Sequence, residues 1–406
     1  MLALDPLLDG HIGWWPQVVI VVIKVVVAFA ALLVAVMAMI WFERKVHADM
    51  TNRIGPNLAG PFGLFQTLAD GIKFFFKEDL MPERADPLVF RLAPYLSLIP
   101  AFLTFVVIPL GGRFDGGRHG VIELPGFHKE TFLQVADPHV GILLVLAMSS
   151  IAVYGVMLAG WSSGSKYPLL GSVRASAQMV SYEAALGLSV GAVLLASGTL
   201  STNGIVAAQN SLANWHIVAT GVVPFVIFVI AATAELNRPP FDLVEAEQEL
   251  VGGFNTEYSS IRFALFFLAE FMNTITMSAI IVTLFLGGPQ PVMIRGHNIL
   301  QFLGPFSGTV WFLLKLLLFL YMYVWFRATL PRLRYDQLMD LGWKLLIPLA
   351  LGWFMLLAAL RLGRDQGWNR GLVAVIAAAV LAVCYLLLTA AVRVSAKNRA
   401  KEGAMF

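Results

Sequence analysis

The sequence predicts an all-α polytopic membrane protein with about nine transmembrane helices, an amphipathic interfacial helix after the first of them, and structured cytoplasmic loops. Hydrophobic residues make up 58% of the 406 residues, charged residues make up 13%, and the mean hydropathy is +0.77. A soluble globular domain carries roughly 25% charged residues. An apolar segment of about 20 residues crosses the hydrocarbon layer as a helix that satisfies its own backbone hydrogen bonds. These proportions therefore exclude an ordinary soluble fold.

Long apolar runs define the individual spans. The first run has no basic stretch before it and is too long for the apolar region of a signal peptide. We therefore expect it to stay in the protein as a helix. The predicted spans are 16–42, 90–110, 139–160, 176–199, 217–236, 263–287, 307–327, 343–361 and 370–392.

The distribution of lysine and arginine predicts the orientation of the bundle. If the N-terminus is outside, most of the 28 Lys and Arg residues fall in the inward loops and the C-terminal tail, as the positive-inside rule requires. The C-terminus and the three patterned loops are then cytoplasmic. The basic tail and the extra last span favour a bacterial plasma membrane. Contact with anionic lipid headgroups explains the net charge of +3, so no nucleic-acid partner is expected.

The sequence excludes several classes of site. Cys384 is the only cysteine and lies in the last predicted span, which excludes a disulfide, a thiolate metal site and an iron–sulfur cluster in this chain. No two of the 7 histidines have the helical spacing of metal ligands, and neither a GxGxxG nor a Walker motif is present. No internal repeat typical of many secondary transporters is visible. Any redox role therefore needs electrons from partner subunits.

The first patterned loop follows span one and predicts an amphipathic helix at the membrane interface. Leu64, Leu68, Ile72 and the pair Phe75–Phe76 recur at near-helical spacing after two Gly-Pro turns. One interpretation is a surface anchor or a docking face for a neighbour. The other is the floor of an entrance through which an amphiphile leaves the lipid. On the second interpretation, the polar groups near its headgroup are Arg44, Arg53, Asp70 and Lys73.

The second patterned loop leads into span four. Its Gly and Ser residues, with Tyr167 and Pro168, predict a compact loop, after which Glu183 falls in the first turns of the span. An ionised carboxylate inside a membrane costs about 2.5–3.5 kcal/mol and usually has a function. Glu183 is either such a functional group or a capped helix-end carboxylate. Glu270 lies deeper, in span six, which favours a function.

The third patterned loop is strongly acidic. Pro239 and Pro240 end the fifth span because proline lacks an amide hydrogen and clashes with the preceding turn. If a helix resumes, Asp242, Glu245 and Glu249 share one face, with Glu247 roughly opposite. Like charges at this spacing favour uptake of protons. The alternative is a solvated acidic turn that binds a basic partner surface.

Four long motifs, in order, closely resemble the H subunits of bacterial respiratory complex I, the counterparts of the first mitochondrially encoded subunit. They are ERK with RIGPNLAGPFGLFQTLAD and KE, then GWSSGSKYPLLGSVRASAQMVSYE, then AELNRPPFDLVEAEQELVGGFNTEYSS, then WFRATLPRLRYDQLMDLGWK. The resemblance covers about residues 16–361. Every motif falls on the predicted cytoplasmic side.

The resemblance implies a subunit of a proton-translocating NADH:quinone oxidoreductase that is not catalytic alone. It would form much of the chamber where quinone, the substrate, is reduced, and would couple that reduction to proton translocation. FMN and iron–sulfur clusters would belong to peripheral partner subunits on the cytoplasmic side. Antiporter-like membrane subunits would lie beside it, in contact with membrane lipids. No catalytic residue and no metal ligand are assigned to this chain.

The matching motifs also imply roles for charged residues. Basic residues would hold the acidic groups in place, because an unpaired buried charge costs far more than a paired one. The proton-path carboxylates are Glu183, Glu235, Asp242, Glu245, Glu247, Glu249, Glu257 and Glu270. The residues of the quinone chamber or its entrance are Arg44, Arg53, Asp70, Lys73, Arg238, Arg327, Arg332 and Arg334. For Lys24 and Lys315, which lie in no such motif, snorkelling and pairing with a carboxylate remain equally open.

The chain departs from the family pattern at two places. Thr67 stands where the family commonly has proline. The typical member ends after eight spans, so we expect a family-like membrane domain at residues 1–361 and an additional helix with a basic tail at 362–406. We interpret that addition as a lineage-specific packing element.

Two other functions remain possible from the sequence. A membrane subunit of a related energy-converting hydrogenase-type complex would share the bundle and some carboxylates, but the extended GPNLAGPFGLFQTLAD segment argues against it. A stand-alone cation/proton antiporter would explain the buried acids but not the large patterned loops. The sequence does not distinguish ubiquinone from menaquinone.

Overall fold

The computed structural model describes residues 14–367, apart from 113, 115–119, 124–129, 244–250, 295–296 and 299, together with scattered residues between 371 and 394. Twelve helices follow one another along this part of the chain. They are α1 (Trp14–Met50), α2 (Gln66–Phe76), α3 (Pro87–Phe105), α4 (Gly141–Ser162), α5 (Lys166–Ser197), α6 (Thr202–Ala208), α7 (His216–Ala219), α8 (Val222–Glu235), α9 (Ser260–Phe285), α10 (Ser307–Thr329), α11 (Tyr335–Asp340) and α12 (Ile347–Asp365).

Short irregular elements connect these helices. A π-helical turn, Leu341–Leu346, makes α11 and α12 continuous. Two antiparallel hairpins pair β1 (Val121–Glu123) with β2 (Glu130–Phe132) and β3 (Met293–Ile294) with β4 (His297–Asn298). The 3-10 segments are Pro61–Gly63, Leu212–Asn214, Gly253–Asn255 and Gln301–Phe306.

The all-α polytopic class is confirmed. Within the described residues, 7 helical segments are long and apolar enough to cross a membrane: α1, α3, α4, α5, α9, α10 and the continuous α11–α12 segment. The shorter apolar helix α8 corresponds to the predicted span 217–236. Of the predicted ninth span, 370–392, about half of the residues lie outside those that the structure describes.

One predicted boundary is wrong, and it changes the interpretation of Glu183. The expected compact loop around Tyr167 and Pro168 is instead the first turn of α5, which begins at Lys166. Proline is tolerated there because the first amides of a helix have no intrahelical acceptor. Glu183 therefore lies near the middle of the 32-residue helix α5, and the interpretation as a capped helix-end carboxylate is excluded.

α1 is longer than a membrane is thick. Its 37 residues span about 55 Å at 1.5 Å per residue, whereas the hydrocarbon core measures about 30 Å. Its buried side chains follow one stripe at spacings of three and four residues. The stripe consists of Ala28, Leu32, Val36, Met39, Ile40 and Glu43. Glu43 thus continues an apolar stripe and brings a carboxylate into the protein interior.

α9 is the most buried of the spans in the described chain. In the most apolar stretch of 18 residues in α9, 72% of the residues are buried. The helix packs against α1, α3 and α10. Large side chains fill the surrounding core without exposure to solvent. The largest of them are Tyr182, Phe90, Phe228, Phe285 and Phe312.

We call one end of the bundle the acidic-loop end, where α1, α4, α8 and α10 finish and α3, α5, α9 and α11 begin. Ser260 at the start of α9 donates its hydroxyl to the carbonyls of Phe74 and Lys77, at 2.9 and 2.8 Å, and so closes the C-terminal turn of α2. Tyr258 stacks on Phe90 with ring centroids 4.0 Å apart. Burial raises the pKa of Tyr258 to about 12, so the phenol stays neutral.

The opposite end, which we call the far end, holds two intramembrane lysines. Nζ of Lys315 donates to the carbonyls of Leu286, Gly288 and Gln290 at 2.7, 2.9 and 2.8 Å. It also lies 4.6 Å from the centroid of the Trp215 ring. Lys315 thus binds the turn after α9 and does not snorkel. Lys24 on α1 donates to Oγ1 of Thr131 at 2.6 Å and to the carbonyl of Phe132 at 3.2 Å, which ties α1 to β2.

Candidate functional site: a buried charge cluster and its pocket

A buried ion pair between Glu43 and Arg238 lies at the centre of the site. Nη1 of Arg238 is 3.1 Å from Oε2 and 3.2 Å from Oε1 of Glu43, and each side chain is only 7% exposed. The guanidinium also lies over the Phe271 ring, 4.5 Å from its centroid. Removing one member of such a buried pair costs about 3–5 kcal/mol, because the remaining charge is left uncompensated.

Two further groups extend the pair into a chain of alternating charges, which we call the charge cluster: Arg327, Glu43, Arg238 and Glu270. Nε of Arg238 lies 3.0 Å from Oε1 of Glu270, and Arg327 forms an ion pair with Glu43. The exposed fraction of the side chain rises from 7% at Glu43 to 29% at Glu270 and 44% at Arg327. The cluster therefore reaches from the interior to a surface open to solvent.

The end of α8 brings Arg238 into the cluster. Asn237 follows the last turn of α8 in the left-handed conformation (φ 51°). Glycine is the most common residue in this conformation at the end of a helix, and asparagine also occurs there. Nε2 of Gln178 on α5 holds this turn by donating to the carbonyls of Ala234 and Phe241 at 2.7 and 2.9 Å. Proline at 239 prevents the helix from continuing. Arg238 is thereby fixed beside the last turn of α8.

A pocket of about 530 Å³ opens beside the charge cluster. Apolar walls from α1 and α9 face a rim that is rich in positive charge. The charged and polar lining residues are Glu43, Arg44, His47, Arg53, Arg238, Glu270 and Arg327. The apolar lining side chains are Ile40, Ala48, Ile54, Pro56, Phe267 and Phe271. A volume between about 300 and 1,000 Å³ with few convergent polar groups is typical of a site for a small organic molecule.

The entrance residues predicted from the first loop contribute unequally to this pocket. Arg44 lines it and pairs with Asp70 on α2, with Nη1 and Oδ2 2.6 Å apart. Nε2 of Gln66 donates to the same carboxylate at 3.1 Å. Arg53 also lines the pocket, whereas Lys73 is exposed on α2 and does not reach it. The α1–α2 contact thus holds one wall of the pocket.

Two smaller cavities continue from the charge cluster into the bundle. The first, of about 80 Å³, is lined by Glu270, Asn273 and Glu235 together with aromatic side chains of α9. The second, of about 30 Å³, is lined by Glu235, Asn273 and Ser149. Glu270 is thus shared by the pocket and the first cavity, and Glu235 is shared by the two cavities. The three spaces are therefore neighbours, and each shares wall residues with the next.

Glu183 lines none of the three spaces but lies next to Glu235. Ser150 on α4 donates its hydroxyl to Glu183, and the neighbouring Ser149 contacts the carboxylate of Glu235. Glu183 is close enough to Glu235 for the two carboxylates to repel each other when both are ionised. Glu235 is 8% exposed, and its Oε2 has no hydrogen-bond partner among the described residues.

Other predicted residues lie apart from the charge cluster. Asp242 is 3% exposed and pairs with Arg332, whose Nη2 is 3.0 Å from Oδ2. This pair joins the segment after α8 to the segment after α10. Glu257 is partly exposed and Arg334 is exposed just before α11, and neither lines the pocket or the two cavities. Glu245, Glu247 and Glu249 lie outside the described residues.

Sequence reasoning missed two residues that the structure places in the site. Glu43 was overlooked in favour of its neighbour Arg44, although its position in the buried stripe of α1 identifies it. Asn273 lines both small cavities and lies one turn beyond Glu270 on α9. A polar residue at i+3 from a buried carboxylate shares its helix face, and that spacing is the signal that would have found it.

Comparisons with known proteins identify the family of the chain. The sequence profile of the family described as NADH dehydrogenase matches residues 23–358. The chain is 52% identical over 342 residues to the H subunit of NADH-quinone oxidoreductase from Frankia casuarinae, an alignment that covers 84% of this chain and 73% of the relative. It is 53% identical over 343 residues to the H subunit of the same enzyme from Frankia alni, with the same coverage of 84% and 73%.

A third relative extends the similarity to the whole chain. The H subunit of NADH-quinone oxidoreductase from Streptomyces avermitilis is 44% identical over 407 aligned positions, which cover 100% of this chain and 86% of the relative. That alignment therefore includes residues 362–406. The profile match and the three alignments together contain every residue of the charge cluster, and the chain accordingly belongs to the NADH dehydrogenase family, whose members include the H subunits of NADH-quinone oxidoreductases.

Proposed function

We propose that this chain forms much of the quinone-reduction chamber of an NADH:quinone oxidoreductase and couples quinone reduction to proton translocation through its buried carboxylates. The succession of the pocket and the two cavities, in which each space shares a carboxylate with the next, carries the proposal. Glu270 connects the pocket to the first cavity, and Glu235 connects the first cavity to the second. A change of charge in the pocket therefore acts on acidic groups as far as Glu183.

The pocket has the chemistry that quinone reduction needs. Reduction of a quinone to a quinol adds two electrons and two protons to its carbonyl oxygens. The electrons come from NADH through FMN and iron–sulfur clusters in partner subunits. Guanidinium groups of Arg44, Arg53 and Arg327 at the wall stabilise negative charge as it develops on those oxygens. The apolar wall accommodates the ring and the start of the isoprenoid tail.

The position of Arg238 between two carboxylates supports a coupling role. Negative charge on the reduced substrate competes with Glu43 and Glu270 for Arg238. A carboxylate that loses its cationic partner takes up a proton more readily. Reduction of the substrate thus favours proton uptake by the charge cluster. Release of the reduced quinone then favours return of Arg238 to its ion pairs with Glu43 and Glu270.

Buried polar atoms without hydrogen-bond partners support the presence of water molecules in the cavities between Glu270 and Glu235. Oε2 of Glu235, Oγ of Ser97 and Oγ1 of Thr276 are buried without a hydrogen-bond partner among the described residues, and each residue lines one of the small cavities. Buried polar groups of this kind are normally satisfied by water. The cavities of about 80 and 30 Å³ exceed the roughly 10–15 Å³ that one water molecule needs. We also include Asp242, Glu257 and the acidic residues 245, 247 and 249 in the proposed proton path, because they lie in the sequence motifs that resemble the family.

The acidic-loop end is suited to docking the peripheral partner subunits. Its loops and the end of α2 expose large apolar side chains, with Leu58 100%, Phe76 87% and Ile54 86% exposed. Monomeric proteins rarely leave such patches open to solvent. In the orientation that the charge distribution predicts, this end is cytoplasmic, the N-terminus is outside, and the chain resides in a bacterial plasma membrane.

Glu235→Gln tests the proposal in the intact complex. The variant removes the titratable group shared by the two cavities and preserves its size. We expect quinone reduction to slow at least about tenfold, since a positioned general acid or base typically raises a reaction rate about 10²–10⁴-fold. We also expect fewer protons to be translocated per quinone reduced. The measurements are inhibitor-sensitive NADH:quinone reductase activity of the tagged, detergent-purified complex and proton uptake in proteoliposomes.

Glu83→Gln is the matched control, because Glu83 is exposed and lies outside all three spaces. It should leave both readouts unchanged. Wild-type activity and wild-type proton uptake in Glu235→Gln would contradict the proposed path. A purified chain that carries no redox partners but exchanges cations in vesicles would contradict the function as a whole.

A further inference from the structure

A second large cavity lies at the far end of the bundle, away from the charge cluster. Its volume is about 630 Å³, and it is bounded by α5, α7 and α12. It shares no lining residue with the pocket or with the two small cavities. It is therefore a site separate from the proposed quinone chamber.

The deeper walls of this cavity are aliphatic. Ala192 and Leu195 on α5 face Leu357 and Leu360 on α12. Both helices are candidate membrane spans, and both end within about two to three turns of these residues. The cavity thus extends from the acyl region of the bilayer to the level of the lipid headgroups.

The mouth of the cavity carries three charged side chains from the last turn of α12: Arg361, Arg364 and Asp365, all exposed. Nη1 of Arg361 donates to the carbonyl of Ala196 at 3.3 Å, which draws this arginine across the mouth towards α5. Arg364 and Asp365 form no ion pair with any residue in the part of the chain that the structure describes. Both arginines lie on one helix face because they are three residues apart.

Polar groups line the inner side of the mouth. The ring of His216 is buried, and its Nδ1 lies 2.7 Å from the carbonyl of Leu284. A carbonyl only accepts, so Nδ1 carries the hydrogen and Nε2 remains an acceptor. Burial also lowers the pKa of His216, which keeps the ring neutral. A neutral acceptor and the carboxylate of Asp365 both suit a ligand that offers hydroxyl groups.

We propose that this cavity binds one anionic phospholipid whose headgroup carries hydroxyl groups, such as phosphatidylglycerol. The phosphate lies between Arg361 and Arg364, the headgroup hydroxyls lie near Asp365, and an acyl chain lies along the aliphatic walls. Paired guanidinium groups suit phosphate because their planar donors match its oxygens. The mixture of a phosphate site and an aliphatic groove at headgroup depth distinguishes a lipid from a free anion.

The test uses the intact, detergent-purified complex in nanodiscs of phosphatidylcholine that contain increasing fractions of phosphatidylglycerol. After re-extraction, lipid retained per complex is counted by mass spectrometry. We expect the double variant R361Q/R364Q to need about 25-fold more phosphatidylglycerol for the same retention, on the order of fivefold for each arginine at a membrane surface. R361K/R364K keeps the charge but lacks the planar donors, so its loss of binding should be smaller than that of R361Q/R364Q.

Two further variants separate lipid binding from general damage. Leu360→Trp fills the cavity and keeps both arginines, and it should also lose the retained lipid. Arg91→Gln removes an exposed arginine on α3 at the acidic-loop end and should behave as wild type. Equal retention in R361Q/R364Q and wild type, or equal retention of phosphatidylcholine, would overturn the proposal. So would complete displacement of the lipid by inorganic phosphate, which would identify a free-phosphate site.

Discussion

At the scale of single residues, Glu43 and Glu235 are both buried, yet their surroundings differ. Glu43 has guanidinium partners in Arg238 and Arg327, which hold its charge. Glu235 contacts Ser149, lies near another carboxylate, and leaves Oε2 without a partner among the described residues. Glu43 therefore suits a fixed charge that orients its neighbours, and Glu235 suits a group that takes up and releases a proton.

Glu43→Gln should disrupt the charge cluster. The amide retains the shape but removes the counter-charge of Arg327 and leaves Arg238 with Glu270 as its carboxylate partner, and breaking a buried pair costs about 3–5 kcal/mol. We expect inhibitor-sensitive quinone reductase activity of the assembled complex to fall at least about tenfold, a loss of about 1.4 kcal/mol or more in transition-state stabilisation. NADH oxidation by an artificial acceptor at the partner subunits should persist.

Asp49→Asn on the same helix is the control for this substitution, because Asp49 is exposed. Glu43→Asp should keep part of the activity, since it preserves the charge. If Glu43→Gln retained full quinone reductase activity in an assembled complex, the charge cluster would have no part in the reaction.

At the scale of secondary structure elements, α2 depends on its neighbours for its position. Ser260 at the start of α9 donates to two carbonyls at the end of α2, and Oγ1 of Thr67 donates to the carbonyl of Met37 on α1 at 3.3 Å. Arg44 and Asp70 join α1 and α2, but this pair is partly exposed and contributes at most about 1 kcal/mol. The wall of the pocket thus rests on several weak contacts.

Ser260→Ala should loosen the C-terminal half of α2. Each lost hydrogen bond contributes about 0.5–1.5 kcal/mol, and the carbonyls of Phe74 and Lys77 lose their hydroxyl donor. We expect amides of residues 71–77 to exchange on the order of tenfold faster in hydrogen–deuterium exchange of the purified complex.

Thr329→Ala controls for the loss of a hydroxyl, because its Oγ1 bonds only within its own helix, to the carbonyl of Trp325 at 2.7 Å. Unchanged exchange across residues 71–77 in Ser260→Ala would show that apolar packing alone holds α2.

Most secondary structure elements could be predicted from the sequence, but only part of the candidate site could. Periodicity located α2 and the spans, and the charged motifs identified Arg238 and Glu270. The start of α5 was misplaced because Gly, Ser and Pro favour turns in isolation, whereas packing against α4 and α8 extends the helix over them. Glu43 was missed because the ion pair joins residues 195 positions apart along the chain, a proximity that only the tertiary fold creates.

At the scale of the whole molecule, the two ends of the bundle are held by different chemistry. Alternating charges join the helices at the acidic-loop end. At the far end, Lys315 joins α10 to the turn after α9 through three carbonyls and an aromatic ring. Positive charge at the C-terminus of a helix is also favoured by the helix dipole. Lys315 therefore acts as a structural cation for the far end.

Lys315→Met should destabilise the chain. The variant keeps the aliphatic stem but leaves three carbonyls without their charged donor, at a cost on the order of 3 kcal/mol or more. We expect a lower thermal unfolding midpoint of the purified complex and less assembled complex in the membrane. Lys344→Met, which removes a half-exposed partner of Asp340, should have little effect. Equal midpoints for the two variants would contradict the structural role.

The position of Glu183 near the middle of α5 has a consequence for energy conversion. The residue lies 17 positions after Lys166 and 14 before Ser197, which is about 25 Å from one end of the helix and about 21 Å from the other. A proton that reached Glu183 from the pocket would cross part of the transmembrane voltage. A full crossing involves about 2.3 kcal/mol per 100 mV, and this step would involve a share of that amount. The fraction of Glu183 that is protonated would then depend on the transmembrane voltage.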